Sequence, residues 1–143
     1  MDVASIQADH RVILGKVRAL SERIEDGELE AQAERLAWMV RDLGQHLQRH
    51  FAAEREGLYG RLDREGGPVG RSLVKLVRDE AEVAEAQLDP FIRHWVVPLH
   101  IAREPERFRA DARTLFRCVG RRTGREEREL LPRLATVDAV PVN

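Results

Sequence analysis

The stretch HLQRHFAAERE, residues 46–56, places His46, His50 and Glu54 four residues apart in a predicted helix. Side chains at this spacing lie on one helical face. Apolar residues continue the line of His50 and Glu54 in both directions, through Leu58 on the C-terminal side, with the three- and four-residue steps of a buried helical stripe. His50 and Glu54 therefore occupy predicted core positions, whereas His46 lies about a third of a turn away from the stripe.

The composition of the 143-residue chain is typical of one soluble helical domain, with 43% hydrophobic and 34% charged residues. A formal net charge of −1 provides no general attraction to nucleic acid or to anionic membranes. The single Cys118 excludes an internal disulfide and is typical of a reducing compartment. Neither a signal peptide nor an apolar run of membrane length is recognisable. We therefore expect a cytoplasmic protein without nucleic-acid or membrane partners.

Four amphipathic segments predict an all-α protein. The predicted helices cover residues 3–24, about 29–62, about 69–95 and about 105–134. We expect Asp2 to cap the first helix and Pro90 to kink or restart the third, because proline lacks an amide proton. The short connections favour an up-down-up-down four-helix bundle over residues 1–134, followed by a C-terminal tail at residues 135–143.

Polar residues interrupt three of the four apolar stripes. They are His10 in the first helix, His50 and Glu54 in the second, and Arg122 and Glu126 in the fourth. Such positions are normally apolar, because an unpaired buried charge is costly. Reflection of the five positions through the three connections places them in roughly one layer of the bundle, together with Ala81 of the third helix.

Inward-facing histidine and glutamate side chains on neighbouring helices are the means by which helical bundles build metal sites. Imidazole and carboxylate ligands together suit iron, manganese or zinc. Two alternatives stay open: each histidine is a hydrogen-bonded core residue, or a salt bridge to Arg122 satisfies Glu54 or Glu126. We expect His94 and His100 to lie outside this layer.

Four segments in combination resemble the hemerythrin-like HHE cation-binding family. They are DHRVILGKVRAL (9–20), HFAAEREGLYGRL (50–62), VRDEAEVAEAQL (77–88) and REERELLPRL (125–134), and they occur in the family's order. The resemblance implies a four-helix bundle with a non-heme di-iron centre. It also implies roles such as oxygen binding, oxygen or redox sensing, iron handling, or repair of damaged iron–sulfur clusters.

The resemblance assigns metal-ligand positions to His10, His50, Glu54 and Glu126. Two family ligands are missing. The third helix of the family has histidine where this chain has Ala81, and the fourth helix has histidine where this chain has Arg122. Ala81 removes a ligand and opens space, while Arg122 brings a permanent positive charge into a cation site. Glu85, one turn beyond Ala81, could replace the missing ligand if the third helix is rotated.

The sequence thus leads to two main hypotheses. In the first, a reduced and mononuclear non-heme iron or zinc site binds or senses a small ligand such as O2 or NO. In the second, no metal is bound, and Arg122 pairs with buried carboxylates in a structural or partner-binding module. A catalytic role is a third and weaker hypothesis, because nothing in the sequence names a substrate. An exposed apolar helix face would permit a homodimer, but the sequence does not locate one.

Overall fold

The computed structural model describes residues 1–139, and within that range it contains helices and turns but no strand. The α-helices are α1 (Val3–Asp26), α2 (Ala33–Glu54), α3 (Arg61–Glu65), α4 (Gly67–Trp95), α5 (Pro98–Arg103), α6 (Pro105–Arg125) and α7 (Leu131–Asp138). Two π-helical segments, π1 (Arg55–Gly60) and π2 (Glu126–Leu130), join α2 to α3 and α6 to α7. The predicted all-α class is confirmed, and the up-down-up-down order stays a prediction.

The first helix begins and ends as its sequence predicts. The Asp2 side chain accepts a hydrogen bond from the Ser5 amide at 2.8 Å, and the Asp2 amide donates to the Ser5 hydroxyl at 3.1 Å. This reciprocal pair satisfies two amides at the helix start that have no partner within the helix. The helix ends at Asp26, and the extended conformation of Gly27 follows.

The second long helix starts later than predicted. It begins at Ala33, whereas the residues immediately before it form turns. Leu29 is nevertheless buried. An apolar residue indicates burial, but a turn packed against the core buries its side chains as well as a helix does. The predicted start of this helix was therefore four residues too early.

Both long helices that carry a buried glutamate change to π geometry at that glutamate. Segment π1 begins directly after Glu54, and π2 begins at Glu126 itself. A π-turn accommodates an extra residue and is frequent at functional sites. The two changes therefore coincide with the polar layer.

The third long helix, α4, continues through Pro90 to Trp95 without a restart. Proline costs this helix one backbone hydrogen bond. The buried side chains of Leu88, Phe91 and Trp95 on both sides of it pack into the apolar core. The predicted restart is therefore wrong, and the alternative of a kink at Pro90 stays a prediction. The connection that follows contains the short helix α5.

The C-terminal helix extends beyond the predicted bundle boundary. Helix α7 runs to Asp138, where Arg61 forms an ion pair with it, and Val137 packs against buried apolar residues. Residues 135–138 are thus helical, while residues 140–143 of the predicted tail lie outside the described residues. The division into a domain and a tail at residue 134 stays a prediction.

Two apolar clusters fill the bundle, one on each side of the polar layer along the helices. In α1, Ile6 belongs to one cluster and Ile13 to the other, and His10 lies between them. Helix α1 packs against α2 and α6, and α4 also packs against α2 and α6, so the four long helices enclose the layer. No helix among the described residues is both long enough and apolar enough to span a membrane.

Candidate metal centre

The structure brings the four predicted ligand residues together inside the bundle. His10, His50, Glu54 and Glu126 each offer one ligand atom, and these atoms all lie within 4.8 Å of one another. None of the four residues is more than 2% exposed. The layer predicted by loop reflection is thus present, and it is buried.

Two histidines form one side of this layer. His10 Nε2 lies 3.2 Å from Glu54 Oε2 and 3.1 Å from Glu126 Oε1. His50 Nε2 lies 3.0 Å from the same Glu54 oxygen. The two imidazole rings meet edge to face with their centroids 5.0 Å apart. Both Nε2 atoms therefore point at carboxylate oxygens in the centre of the layer.

An outer carboxylate orients each of these histidines. His50 Nδ1 donates to Asp9 Oδ2 at 2.5 Å, and His10 Nδ1 donates to Glu127 Oε1 at 2.9 Å. With Nδ1 held in this way, Nε2 is the nitrogen left to face the centre, as in many metal-binding histidines. The sequence reasoning missed both carboxylates. Each directly neighbours a predicted ligand in the chain, and this adjacency was the only available signal.

Arg122 forms the opposite side of the layer and is itself 1% exposed. Its Nε donates to Glu126 Oε2 at 3.0 Å, and its Nη2 donates to Glu54 Oε1 at 3.2 Å. Its Nη1 donates to the Ala81 carbonyl at 2.9 Å and to Glu85 Oε1 at 3.1 Å. Glu85 is thus a partner of the guanidinium and does not belong to the four-residue cluster.

Aromatic rings enclose the guanidinium. The Arg122 Cζ atom lies 3.9 Å from the Phe51 ring centroid and 5.4 Å from that of Tyr59. The Tyr59 hydroxyl donates to Glu126 Oε2 at 2.6 Å. Burial and the neighbouring Glu126 charge raise the pKa of Tyr59, so this hydroxyl stays protonated and remains a donor. Tyr59 is a third residue that the sequence reasoning did not place in the site.

The histidines and Glu54 form a charged network when no metal is bound. Burial alone would lower the pKa of His10, but its contacts with Glu126, Glu54 and Glu127 outweigh burial and raise the pKa to about 10. The pKa of His50 is also raised, because Glu54 outweighs burial. Burial opposes ionisation of Glu54, but His10 and His50 hold its pKa well below the usual range.

Glu126 behaves differently from Glu54. Burial, together with the Glu54 charge, raises the pKa of Glu126. The difference follows from the partners, since Glu54 receives both histidines and Arg122, whereas Glu126 receives only one histidine with Arg122 and a neutral tyrosine. Arg122 keeps its positive charge, because the two carboxylates outweigh its burial and raise its pKa.

The donor set is compatible with one divalent cation on the histidine side. Among the described residues, His50 Nε2 and Glu126 Oε1 are buried without a hydrogen-bond partner of suitable geometry, and both face the centre. Buried polar atoms are normally hydrogen-bonded, so atoms of one cluster that lack a well-aligned partner are candidate metal-ligand atoms. On the other side, the guanidinium already contacts the second oxygen of each carboxylate, so it occupies the place where a second cation would need those oxygens.

The remaining histidines lie apart from the cluster, and one of them supports it. His46 Nε2 donates to Asp9 Oδ1 at 2.6 Å, so Asp9 bridges His46 and His50. His94, near the C-terminal end of α4, contacts Glu104, and His100, in α5, contacts the His94 carbonyl. None of the three belongs to the four-residue cluster.

A cavity of about 230 Å³ opens to the surface beside Ala81. Tyr59, Ala81 and Arg122 line its inner part, and Arg55 with Glu85 lines its outer part. The predicted space beside Ala81 is therefore present. It leads to the guanidinium side of the layer.

Comparison with known proteins agrees with this geometry. A family model described as the hemerythrin HHE cation binding domain matches residues 1–134, which include every residue of the layer. Searches of curated proteins and of solved structures returned no significant match.

Proposed function

The chain belongs to the hemerythrin HHE cation-binding domain family, and we propose that it binds a single metal ion through His10, His50, Glu54 and Glu126. The observation that carries this proposal is the convergence of four buried ligand atoms within 4.8 Å of one another. Two polar atoms of the cluster, His50 Nε2 and Glu126 Oε1, have no hydrogen bond of suitable geometry, although each lies 3.0 or 3.1 Å from an ion-pair partner. Such a cluster is costly to bury unless its groups are satisfied, and a cation bound between them would satisfy them.

The ligand types favour iron or zinc. Two imidazoles with one or two carboxylates suit either metal, and this set leaves open coordination positions on iron. Non-heme iron is our preferred assignment, because the family resemblance concerns non-heme iron. When bound, a ferrous ion would supply an open position for a small diatomic ligand such as O2 or NO, and the domain would then act as a binding or sensing module.

This chain contributes several features to such a site. Asp9 and Glu127 fix the orientation of His50 and His10 through Nδ1. The apolar clusters on both sides of the layer exclude water from it. Both histidines must lose a proton before their Nε2 atoms can bind a cation, so metal binding and proton release are coupled.

Elemental analysis of freshly purified protein, followed by anaerobic titration with Fe²⁺ and separately with Zn²⁺, tests the proposal. We expect one metal ion per chain with a dissociation constant in the micromolar range or below. His50→Ala removes this binding, because it deletes one ligand atom. His94→Ala is the matched control and retains it, since His94 lies outside the cluster. Absence of stoichiometric binding at micromolar metal would refute the assignment.

A second candidate function is supported by the contacts of Arg122. The guanidinium already neutralises Glu54 and Glu126, and both histidines can pair with Glu54 as cations. In this alternative the layer holds no metal, and the domain serves a structural or partner-binding role. It predicts that no metal binds and that Arg122→Ala costs about 3–5 kcal/mol, because two buried carboxylates lose their permanent counter-charge.

Arg122→Ala therefore distinguishes the two candidates when it is studied with and without metal. If the site binds metal, an added cation relieves the carboxylate repulsion, so the variant regains stability on titration and binds metal at least as well as the parent protein. If the layer works without metal, titration leaves the unfolding midpoint of the variant unchanged. Chemical denaturation with and without Zn²⁺ measures the difference.

A further inference from the structure

Helix α4 exposes an apolar stripe on the outside of the bundle. Val69, Leu76 and Val83 are 53%, 57% and 49% exposed, and they follow one another at intervals of seven residues. Seven residues correspond to about two helical turns, so the three side chains lie on one face. None of them belongs to either apolar cluster of the core. The stripe is thus a helix surface without a partner in this chain.

The exposed charges beside this stripe are separated by sign. Arg71 and Lys75 precede Leu76 along α4, and Asp79 and Glu82 follow it. None of the four takes part in an ion pair within residues 1–139, whereas the neighbouring Arg78 is already paired. The stripe is therefore flanked by four charges that have no ion-pair partner among the described residues.

The stripe and its charges are arranged nearly symmetrically about Leu76. Val69 precedes Leu76 by seven residues, and Val83 follows it by seven. Arg71 precedes it by five and Glu82 follows it by six, while Lys75 and Asp79 lie one residue before and three after. An antiparallel copy of the same helix, crossing at Leu76, therefore meets each apolar position with an apolar residue and each charge with its opposite.

From this arrangement we propose that the outer face of α4 is a homodimer interface, in which two copies of the chain pair antiparallel about a two-fold axis at Leu76. Leu76 packs on the partner's Leu76, and Val69 packs on the partner's Val83. Arg71 faces the partner's Glu82, and Lys75 faces the partner's Asp79. Because a two-fold interface uses the same surface on both copies, each of these pairs between different residues occurs twice.

The charge pattern also selects the pairing mode. A parallel pair would instead bring the two basic segments to one height and the two acidic segments to another, and like charges near each other at an interface disfavour that arrangement. The affinity is expected to be modest, because the apolar area is limited to one helix face and exposed ion pairs contribute little each. A dissociation constant on the order of micromolar fits such an interface.

Charge variants of the full-length protein test this proposal by sedimentation equilibrium. One variant, Arg71→Glu with Lys75→Glu, makes the face uniformly acidic. The other, Asp79→Lys with Glu82→Lys, makes it uniformly basic. We expect each variant alone to dimerise about tenfold more weakly or worse than the parent protein, while an equimolar mixture forms a heterodimer at least as readily as the parent forms its homodimer.

A matched control separates this effect from a change in net charge. The control variant, Arg11→Glu with Arg18→Glu, changes the net charge by the same amount as the acidic variant, but on the exposed side of α1. It should leave dimerisation unchanged. Circular dichroism confirms that each variant is folded. A parent protein that stays monomeric up to a concentration of about 1 mM, or a mixture that fails to restore association, overturns the proposal.

Discussion

The two sides of the buried layer neutralise the same pair of carboxylates with different chemistry. Glu54 and Glu126 each turn one oxygen toward the histidines and the other toward Arg122. On one side, His10 and His50 can hold protons or release them to accept a metal ion. On the other side, the guanidinium carries a charge that no accessible pH removes.

Under the proposed function, this contrast explains how a layer that resembles a two-cation site would hold one cation and stay folded. Ala81 and Arg122 stand where the family resemblance places histidines, and the arginine fills the side that those histidines would serve. The carboxylates keep a counter-charge in both cases. Arg122 supplies a permanent positive charge on one side, and the proposed binding of a proton or a metal ion is confined to the histidine side.

The strongest test of the comparison removes the group that both sides share. Glu54→Gln is expected to lower the free energy of unfolding of the metal-free protein at pH 7 by about 3–5 kcal/mol, because His10, His50 and Arg122 lose their common buried acceptor. Urea denaturation followed by circular dichroism measures the loss. The surface change Glu22→Gln should stay within about 0.5 kcal/mol of the parent. If Glu54→Gln changed the free energy of unfolding as little as Glu22→Gln does, the two sides of the layer would be energetically independent.

A second test converts the guanidinium side into a histidine side. The double variant Ala81→His with Arg122→His should bind a second metal ion per chain, because it supplies two imidazoles to the free oxygens of Glu54 and Glu126. At a hundredfold excess over the dissociation constant, the added ion should stabilise the variant by about 2.7 kcal/mol. Elemental analysis counts the metal, with Arg122→His alone as the control. A stoichiometry that never exceeds one ion would contradict the proposed equivalence of the two sides.

A smaller effect should separate the two sides by their supporting residues. Asp9→Asn is expected to weaken metal binding about 10–100-fold, because His50 loses the carboxylate that orients its ring. The Arg122 contacts do not involve Asp9 and should persist. Competition against a chelating indicator measures the affinity. Asp42→Asn removes a carboxylate that pairs with Lys16 elsewhere and serves as the control, and equal affinities for the two variants would argue against a positioning role of Asp9.

The smallest expected effect is a change in the free energy of unfolding with pH, which only the histidine side should show. Folding raises the pKa of His10 from 6.5 to about 10, so the folded state binds the extra proton within that window. The resulting stabilisation is complete below about pH 6.5 and is lost as the pH rises toward 10, with a slope of at most about 1.4 kcal/mol per pH unit. Denaturation of metal-free protein at pH 7, 8 and 9 measures this slope.

The variant His10→Gln should flatten this slope, since the proton-binding group is removed, while His94→Gln should preserve it. Stability of the parent protein that rises between pH 7 and pH 9 would be inconsistent with a histidine held by Glu54, Glu126 and Glu127.

The helical period and the local signals at helix starts were sufficient to predict most of the fold. They located the buried stripes of all four long helices and the capping role of Asp2. They misplaced the start of α2 because Leu29 is buried in a turn, and the restart at Pro90, one of two predicted alternatives, is excluded by the continuous helix α4. Both errors arise where tertiary burial outweighs local preference.

The candidate site divides in the same way. His10, His50, Glu54, Arg122 and Glu126 were recognisable from sequence, because a polar residue on an apolar stripe violates the pattern around it. Asp9, Tyr59 and Glu127 were not recognisable, because each lies at the edge of a stripe, where polar and aromatic residues are ordinary. Their roles depend on which atoms they reach across the bundle.

The amino-acid sequence by itself determined which residues are buried, because burial follows from a periodicity that is local to each helix. Only the tertiary structure decided how the buried charges share their partners: each carboxylate has one oxygen for the histidines and one for Arg122. Hydrogen bonds are directional and short, so their assignment depends on helix rotation and on the π-turns at Glu54 and Glu126, which linear spacing does not specify.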